Sequence, residues 1–273
     1  MDRLALYQQL GPATRIGDTL VTVNPGLAPV GCIGAVASAD RLEACEAWLR
    51  EQGCTEAWGP MEQATWFPYR ANRGPHDVPL FFGEPTATPQ PWVDAGYQEL
   101  TRYASSLCPN EAAIAYGETK GITGVTLRPM GAFDRTIADI HRISHAAFAR
   151  AHGFTALPLP ALQALYAPLQ PVVDPRMVLF AERDGETVGF VFGVADHNNP
   201  GSGTFLVKSL AVHPSAQRGG LGAWMVGELH RVAAGLGYTQ GVHALMWSGS
   251  NSRAISAHGG VVFREYSLFR RAL

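Results

Sequence analysis

Apolar residues in the second half of the chain recur with two alternating periods. Residues 124–129 (GVTLRP) read as a strand. From 134 to 151, Ile137, Ile140 and Ile143, followed by Ala147 and Phe148, form the core stripe of an amphipathic helix. Residues 159–169 predict a second helix. Two strand patterns, 176–183 and 187–195, flank Asp184-Gly185, a dipeptide suited to a tight hairpin because both residues tolerate positive φ. A strand over 204–212 stops at His213-Pro214, and a helix begins after a glycine-rich turn at 219–222. A strand over 241–247, a short helix over 251–258 and a last strand over 261–269 complete the pattern.

The first half is less regular. Residues 30–37 (VGCIGAVA) form the short apolar run of a buried strand, and 39–52 follows with helical spacing. There Leu42, Cys45, Ala47 and Leu49 share one face, Glu43, Glu46 and Arg50 point outward, Asp40 stands as N-cap and Gly53 as the stop. A strand, a short helix and an alternating strand (LTRYASSL) come next. Residues 109–122 show little periodicity and several turn formers, which places a boundary there. At 273 residues the chain exceeds the usual single-domain size, so two units are expected, 1–118 and 119–273.

Composition narrows the partners. Apolar residues make up 47% and charged ones 16%, the balance of a globular protein with real cores. A net charge of −2, with no Lys/Arg run, offers no footprint for a phosphate backbone, so no nucleic-acid partner is expected. Cys32, Cys45, Cys54 and Cys108 lack the paired spacing of a zinc site and read as buried small hydrophobes. No run approaches the roughly 20 apolar residues of a membrane span, and the N-terminus fits neither a secretory signal nor a transit peptide. The expectation is a cytoplasmic protein with reduced thiols and no membrane partner, a monomer or homodimer.

One segment carries chemistry. In KSLAVHPSAQRGGLGAWMVGELHRVAAGLG an apolar strand runs through a polar turn and a glycine cluster into a helix with no acidic residue at its start. Free N–H groups of a first helical turn, with the positive end of the helix dipole, suit a pyrophosphate, and glycines let it approach the backbone. Arg218 adds a cation. A Walker loop would need Gly-Lys-Ser/Thr at the helix entry, and a dinucleotide fingerprint would need G-x-G-x-x-G; neither is present.

Gln217-Arg218-Gly219-Gly220-Leu221-Gly222, preceded by a strand ending in V-H-P, resembles motif A of the GNAT acyltransferase superfamily, Q/R-x-x-G-x-G/A. The likeness covers residues 124–273 and implies an α/β GNAT fold with a mixed sheet, binding acetyl-CoA as co-substrate and needing no metal. It also implies acetyl transfer to a small-molecule or peptide amine. By resemblance, Leu210, Ala211 and Val212 offer backbone groups to the pantetheine and thioester. Gln217, Arg218, Gly219, Gly220, Leu221 and Gly222 hold the phosphates, and Asn251, opening the motif B helix, contacts the pantetheine or orders the site.

Many members carry a tyrosine seven residues after that asparagine, protonating the departing thiolate; here the position is His258. An imidazole can donate a proton, though His258 directly precedes Gly259-Gly260 and equally suits a helix C-terminus. Tyr266, on the last strand, is the second candidate acid. For the general base Asp196, His197 and His243 are candidates without a ranking.

The first half resembles the N-terminal region of tandem-GNAT proteins, carried by GPM…TW..YR, F-x-x-EP and W-x-x-A-G-Y. It is a partial, degenerate GNAT-like unit with no Q-x-x-G-x-G. Asp40 and Glu43 at its helix start would repel a pyrophosphate. Trp58, Trp66, Tyr69, Arg70, Glu84 and Trp92 are candidates to wall the acceptor side of the cleft, or to fill a core. The missing tyrosine and the lack of an evident base leave a rival reading, a catalytically silent acyl-CoA sensor or scaffold.

Overall fold

The computed structural model describes residues 3–217 and 219–273, and all its named strands join one mixed twelve-stranded sheet. The order across it is β1 (Ala13–Ile16), β2 (Thr19–Val23), β3 (Val30–Ile33), β4 (Glu56–Gly59), β12 (Val261–Ala272), β6 (Gln98–Pro109) and β11 (Gln240–Trp247). It continues through β10 (Thr204–Val212), β9 (Glu186–Ala195) and β8 (Val178–Arg183) to β7 (Thr126–Pro129), and the two-residue β5 (Ala71–Asn72) also pairs with β12. Among the described residues only β3–β4 and β10–β11 run parallel. The last strand therefore lies between two strands of the first half, and β6 from the first half lies between β12 and β11.

The helices are α1 (Arg3–Leu10), α2 (Asp40–Glu51), α3 (Gln90–Asp94), α4 (Asn110–Glu118), α5 (Phe133–Ala147), α6 (Leu159–Tyr166), α7 (Leu221–Gly235) and α8 (Asn251–Ser256). Alternate residues of β8 and β9 serve two cores, as the period of a strand requires. Val178, Phe180, Phe190 and Phe192 pack with Ile137, Ile140 and Ile143 of α5. Leu179, Ala181 and Val191 pack with Leu221, Met225 and Leu229 of α7. The hairpin between β8 and β9 turns at Asp184 and Gly185, both at positive φ, 52° and 80°, as Asp-Gly predicts. All four cysteines are buried.

Four expectations are corrected. Residues 110–118 form a helix where the pattern suggested a connection. The helix α4 has three alanines, which give little apolar stripe, and one glycine that allows close approach: a Cβ on Gly117 would lie 3.1 Å from the Cα of Gly227 on α7. Glu46 is buried, not outward, because Tyr97 Oη donates to it at 3.0 Å and Arg50 and Arg271 each reach it at 3.3 Å. Ala47 takes the exposed side, and Asp40 is the first helical residue, one past the N-cap Ala39. The helix α1 and the β1–β2 hairpin were not anticipated; α1 anchors through Tyr7, whose hydroxyl donates to Glu62 at 2.7 Å.

A buried polar chain ties α4, α7 and β11 together. Asn110 Nδ2 donates to the Tyr238 carbonyl at 2.7 Å, so its Oδ1 accepts from His230 Nδ1 at 2.8 Å. That leaves His230 Nε2 to accept from His243 Nε2 at 3.0 Å. Both imidazoles are thus neutral, and burial holds each well below the usual 6.5, with mutual repulsion adding to the effect on His230. A histidine depressed in the folded state binds its proton more readily when unfolded. Stability from this pair is therefore complete above about pH 6.5 and is lost as the pH falls below it. Urea denaturation between pH 7 and 4.5 should show wild-type stability falling, with the slope reduced by about one proton in His230→Gln; parallel slopes would contradict the assignment.

Candidate active site

The strands β10 and β11 pair only from Thr204↔Gln240 to Val207↔His243. Beyond that β10 stays with β9 and β11 with β6, so their facing edges diverge into a wedge with unpaired backbone groups. Both strands are irregular at the split. Lys208 is an extra residue between Val207↔Gly193 and Ser209↔Phe192. In β11 the register shifts between His243 and Met246, with Leu245 at φ 54° and its N–H donated to Ser105 Oγ at 3.0 Å. Bulges of this kind bend strands apart and re-aim side chains.

The glycine turn stands at one end of the wedge. Gln217 Nε2 closes it by donating to the Val212 carbonyl at 3.0 Å, and Ala211 and Val212 are buried. Gly219 and Gly220 hold φ of 87° and 84°, and α7 starts at Leu221 with no side-chain cap and no acidic residue in its first turn. Gly222 rests against Leu210 and Ile255, where a Cβ would lie 3.5 Å from each. Arg218 lies outside the described residues. A second cation is present: a Cβ on Gly220 would fall 2.7 Å from Lys120 Cδ, and Lys120 Nζ sits 3.7 Å from the Tyr116 ring centroid. Lys120 follows α4 by two residues, so reading α4 as a connection hid it.

On the other side the wedge opens into a cavity of about 820 Å³ whose wall includes Ser209, Leu210, Ala244 and Leu245. Its wall also carries aromatics, Trp66, Phe148, Phe154 and Tyr166, with Phe154 in contact with Trp66 and Phe148 at 5.4 and 6.0 Å between ring centroids. Of the first-half candidates, Trp66, Tyr69, Arg70 and Glu84 line this cavity. Trp58 stands against the His152 ring at 6.2 Å. Trp92 is core, fully buried and stacked parallel to Phe269 at 6.4 Å.

Charges in the cavity are unevenly matched. Glu84, with its side chain fully buried, accepts from Arg264 Nη1 at 2.6 Å, from Phe81 N at 3.0 Å and from the Tyr266 hydroxyl. Glu62 accepts from Arg3 and Tyr7, each at 2.7 Å. Lys208 and Arg70 have no carboxylate partner among the described residues. Lys208 is open to water yet enclosed by the cavity walls, and burial together with the Arg70 charge lowers its pKa. A lone lysine inside the apolar run TFLVKSLAV was the signal in the sequence for this residue.

Apart from His243, the other candidates fall outside the cavity wall. Tyr266 is fully buried; its proton is directed to Glu84, Ser105 Oγ lies 3.1 Å away, and burial and Glu84 raise its pKa. His258 is exposed and stacks on Tyr116 at 3.7 Å. Asn251 is an exposed residue opening α8. Asp196 caps a loop, accepting from Phe82 N at 2.9 Å and Asn198 N at 3.2 Å, and His197 lies 3.2 Å from the Val172 carbonyl. His243 reaches the cavity wall but is held by His230.

Residues 135–258 match the acetyltransferase (GNAT) family. The chain is 26% identical over 277 residues to a bacterial ceramide synthase of Caulobacter vibrioides (strain NA1000 / CB15N), covering 85% of this chain and 71% of that one. Among solved structures it resembles a GCN5-related N-acetyltransferase from Sphaerobacter thermophilus, with a TM-score of 0.56 at 13% identity over 93% of this chain and 76% of that one. It also resembles a tandem GNAT protein from the clavulanic acid biosynthesis pathway, with a TM-score of 0.53 at 12% identity over 93% of this chain and 78% of that one. At such identities the structural likeness speaks for the fold. Wedge, glycine turn and family match coincide: residues 135–258 are a GNAT acetyltransferase-family domain, and the chain as a whole shares the fold of a tandem GNAT protein.

Proposed function

We propose that the chain transfers an acetyl group from acetyl-CoA to an amine by direct attack within a ternary complex. The observation that carries this reading is the open wedge between β10 and β11, with an anion-accepting turn at one end and a cavity at the other. The pantetheine arm would lie in the wedge like an added strand, using the free edge of β10 at Leu210, Ala211 and Val212. Its pyrophosphate would rest on Gly219, Gly220, Leu221 and Gly222, with Gln217 bracing the turn, Arg218 and Lys120 adding charge, and Asn251 flanking the pantetheine. A β10 N–H beyond the Lys208 bulge would support the oxyanion. The division into 1–118 and 119–273 then becomes one of roles, the second part holding CoA and the first walling the acceptor side.

An alkyl ammonium of pKa about 10.4 must lose a proton before attack, and the thiolate must gain one on leaving. Asp196, His197, Tyr266 and His258 all stand off the cavity, so we assign both transfers to solvent in the open cleft.

A specific observation favours a second donor. The cavity of about 820 Å³, walled in part by Trp66, Phe148, Phe154 and Tyr166, exceeds what an acetyl group needs, and one relative is named a bacterial ceramide synthase. The second reading is transfer of a long acyl chain.

Three measurements test these readings. Gly220→Glu should weaken acetyl-CoA binding by at least about 10²-fold in calorimetry, since it puts a side chain and a negative charge where the pyrophosphate must sit. An unchanged Kd for the folded variant overturns the CoA assignment. Tyr266→Phe and His258→Ala should each lower kcat by less than about 10-fold, whereas a fall of about 10² to 10⁴ with CoA affinity intact would identify that residue as the acid. Thiol release from acetyl-, octanoyl- and palmitoyl-CoA compares the donors: acetyl-CoA should give the highest kcat/KM, and a higher value for palmitoyl-CoA establishes the second reading. Tight acyl-CoA binding with no thiol release on any amine would make the chain a sensor.

A further inference from the structure

Two cations, Arg70 and Lys208, line the cavity with no carboxylate partner among the described residues. Arg70 holds a positive φ of 83°, a backbone state that costs a non-glycine residue energy and persists where the surroundings impose it. Its guanidinium lies 3.6 Å from the Tyr69 ring centroid and 4.2 Å from that of Tyr103, and it contacts the Tyr69 hydroxyl. Its buried Nε has no hydrogen-bond partner. Lys208, displaced from the sheet by its bulge, lines the same cavity, and a Cβ on Gly83 would lie 3.9 Å from its Nζ.

The two carboxylates of the cavity wall cannot serve these cations. Glu84 is occupied by Arg264, Tyr266 and Phe81 N, and Glu62 by Arg3 and Tyr7. An arginine without a carboxylate, in an enclosed site beside a lysine, is costly unless something anionic completes it. The phosphates of CoA are no answer, because Gly219 and Gly220 are not part of the cavity wall.

We propose that Arg70 and Lys208 form an anion-binding subsite for the acceptor, so that the amine acylated here also carries a carboxylate or a phosphate. This rests on the acyltransferase reading. Arg70 supplies a planar fork suited to two oxygens of one anion, and Lys208 a point charge beside it. The anion would fix the acceptor with its amine toward the wedge, where the thioester carbonyl would lie.

The test uses the full chain and matched pairs of amines that differ in the anion. Phenylalanine against phenethylamine and leucine against isoamylamine report on a carboxylate; O-phosphoethanolamine against ethanolamine reports on a phosphate. Thiol release gives kcat/KM for each, and melting temperature in the presence of CoA reports binding without turnover. In at least one series the anionic member should be preferred by about 10²-fold or more. Arg70→Gln and Lys208→Met should each cut that ratio to below about 10-fold, and Arg70→Lys, which keeps the charge, should restore part of it. Preference for the neutral members, a ratio the variants leave unchanged, or no response to any member would overturn the subsite. If no thiol is released but anionic members still raise the melting temperature, and Arg70→Gln abolishes that rise, the subsite stands and the acyltransferase reading fails.

Discussion

The arrangement depends on one shared strand. β12 pairs along one edge with β6, from Val261↔Leu107 to Arg270↔Gln98, and along the other with β4 and β5. Register within a sheet is fixed by every pair at once, since a slip of one residue would turn all inward side chains outward. The loops following β4 and β5 are thereby placed relative to β10 and β11, although those strands are far away in the chain. Arg70, Tyr69 and Glu84 hold positions on the cavity wall because backbone hydrogen bonds locate them, such as Arg70 N to the Pro60 carbonyl at 2.9 Å and Arg73 N to the Glu265 carbonyl at 2.9 Å.

The wedge follows from the same sheet. A parallel pair must either continue its ladder or satisfy its edges elsewhere, because unpaired backbone groups away from water are costly. Here β10 stays bonded to β9, and β11 to β6, so each strand loses pairing on one edge only. Leu245, at positive φ within β11, turns its N–H toward Ser105 on β6. The hydroxyl of Ser105 is in turn beside Tyr266 on β12. The split is thus braced from the side that faces away from the gap, and the facing edges of β10 and β11 are left with unpaired polar backbone.

Local pattern made the second half legible to within a few residues: the β10 bounds were read directly, and the α5 stripe, the Asp184-Gly185 hairpin and the Gly219–Gly220 entry to α7 all followed from short-range physics. What escaped was of two kinds. Helix α4 and the neighbouring Lys120 were hidden because alanine and glycine pack closely without a hydrophobic signature. Partnerships across the chain were the other kind. Nothing near residue 261 says that it will pair with residue 107, nothing near Glu46 says that Tyr97 and Arg271 will bury it, and nothing near Arg70 announces a positive φ. The glycine turn was legible because its chemistry is contained in six consecutive residues, whereas the cavity wall is assembled from both halves.

The buried pair of Arg264 and Glu84 explains why the cavity keeps its positive character. Removing two charges from water is expensive, and a buried ion pair is rarely a net source of stability. Its effect here is geometric: Glu84 is fixed by Arg264, by Tyr266 and by the N–H of Phe81, three donors from two separate segments. That fixes the turn carrying Gly83, which faces Lys208. A carboxylate free to swing would neutralise Lys208 and close the site on itself. Held by Arg264, Tyr266 and Phe81 N, Glu84 leaves that lysine with no carboxylate partner among the described residues.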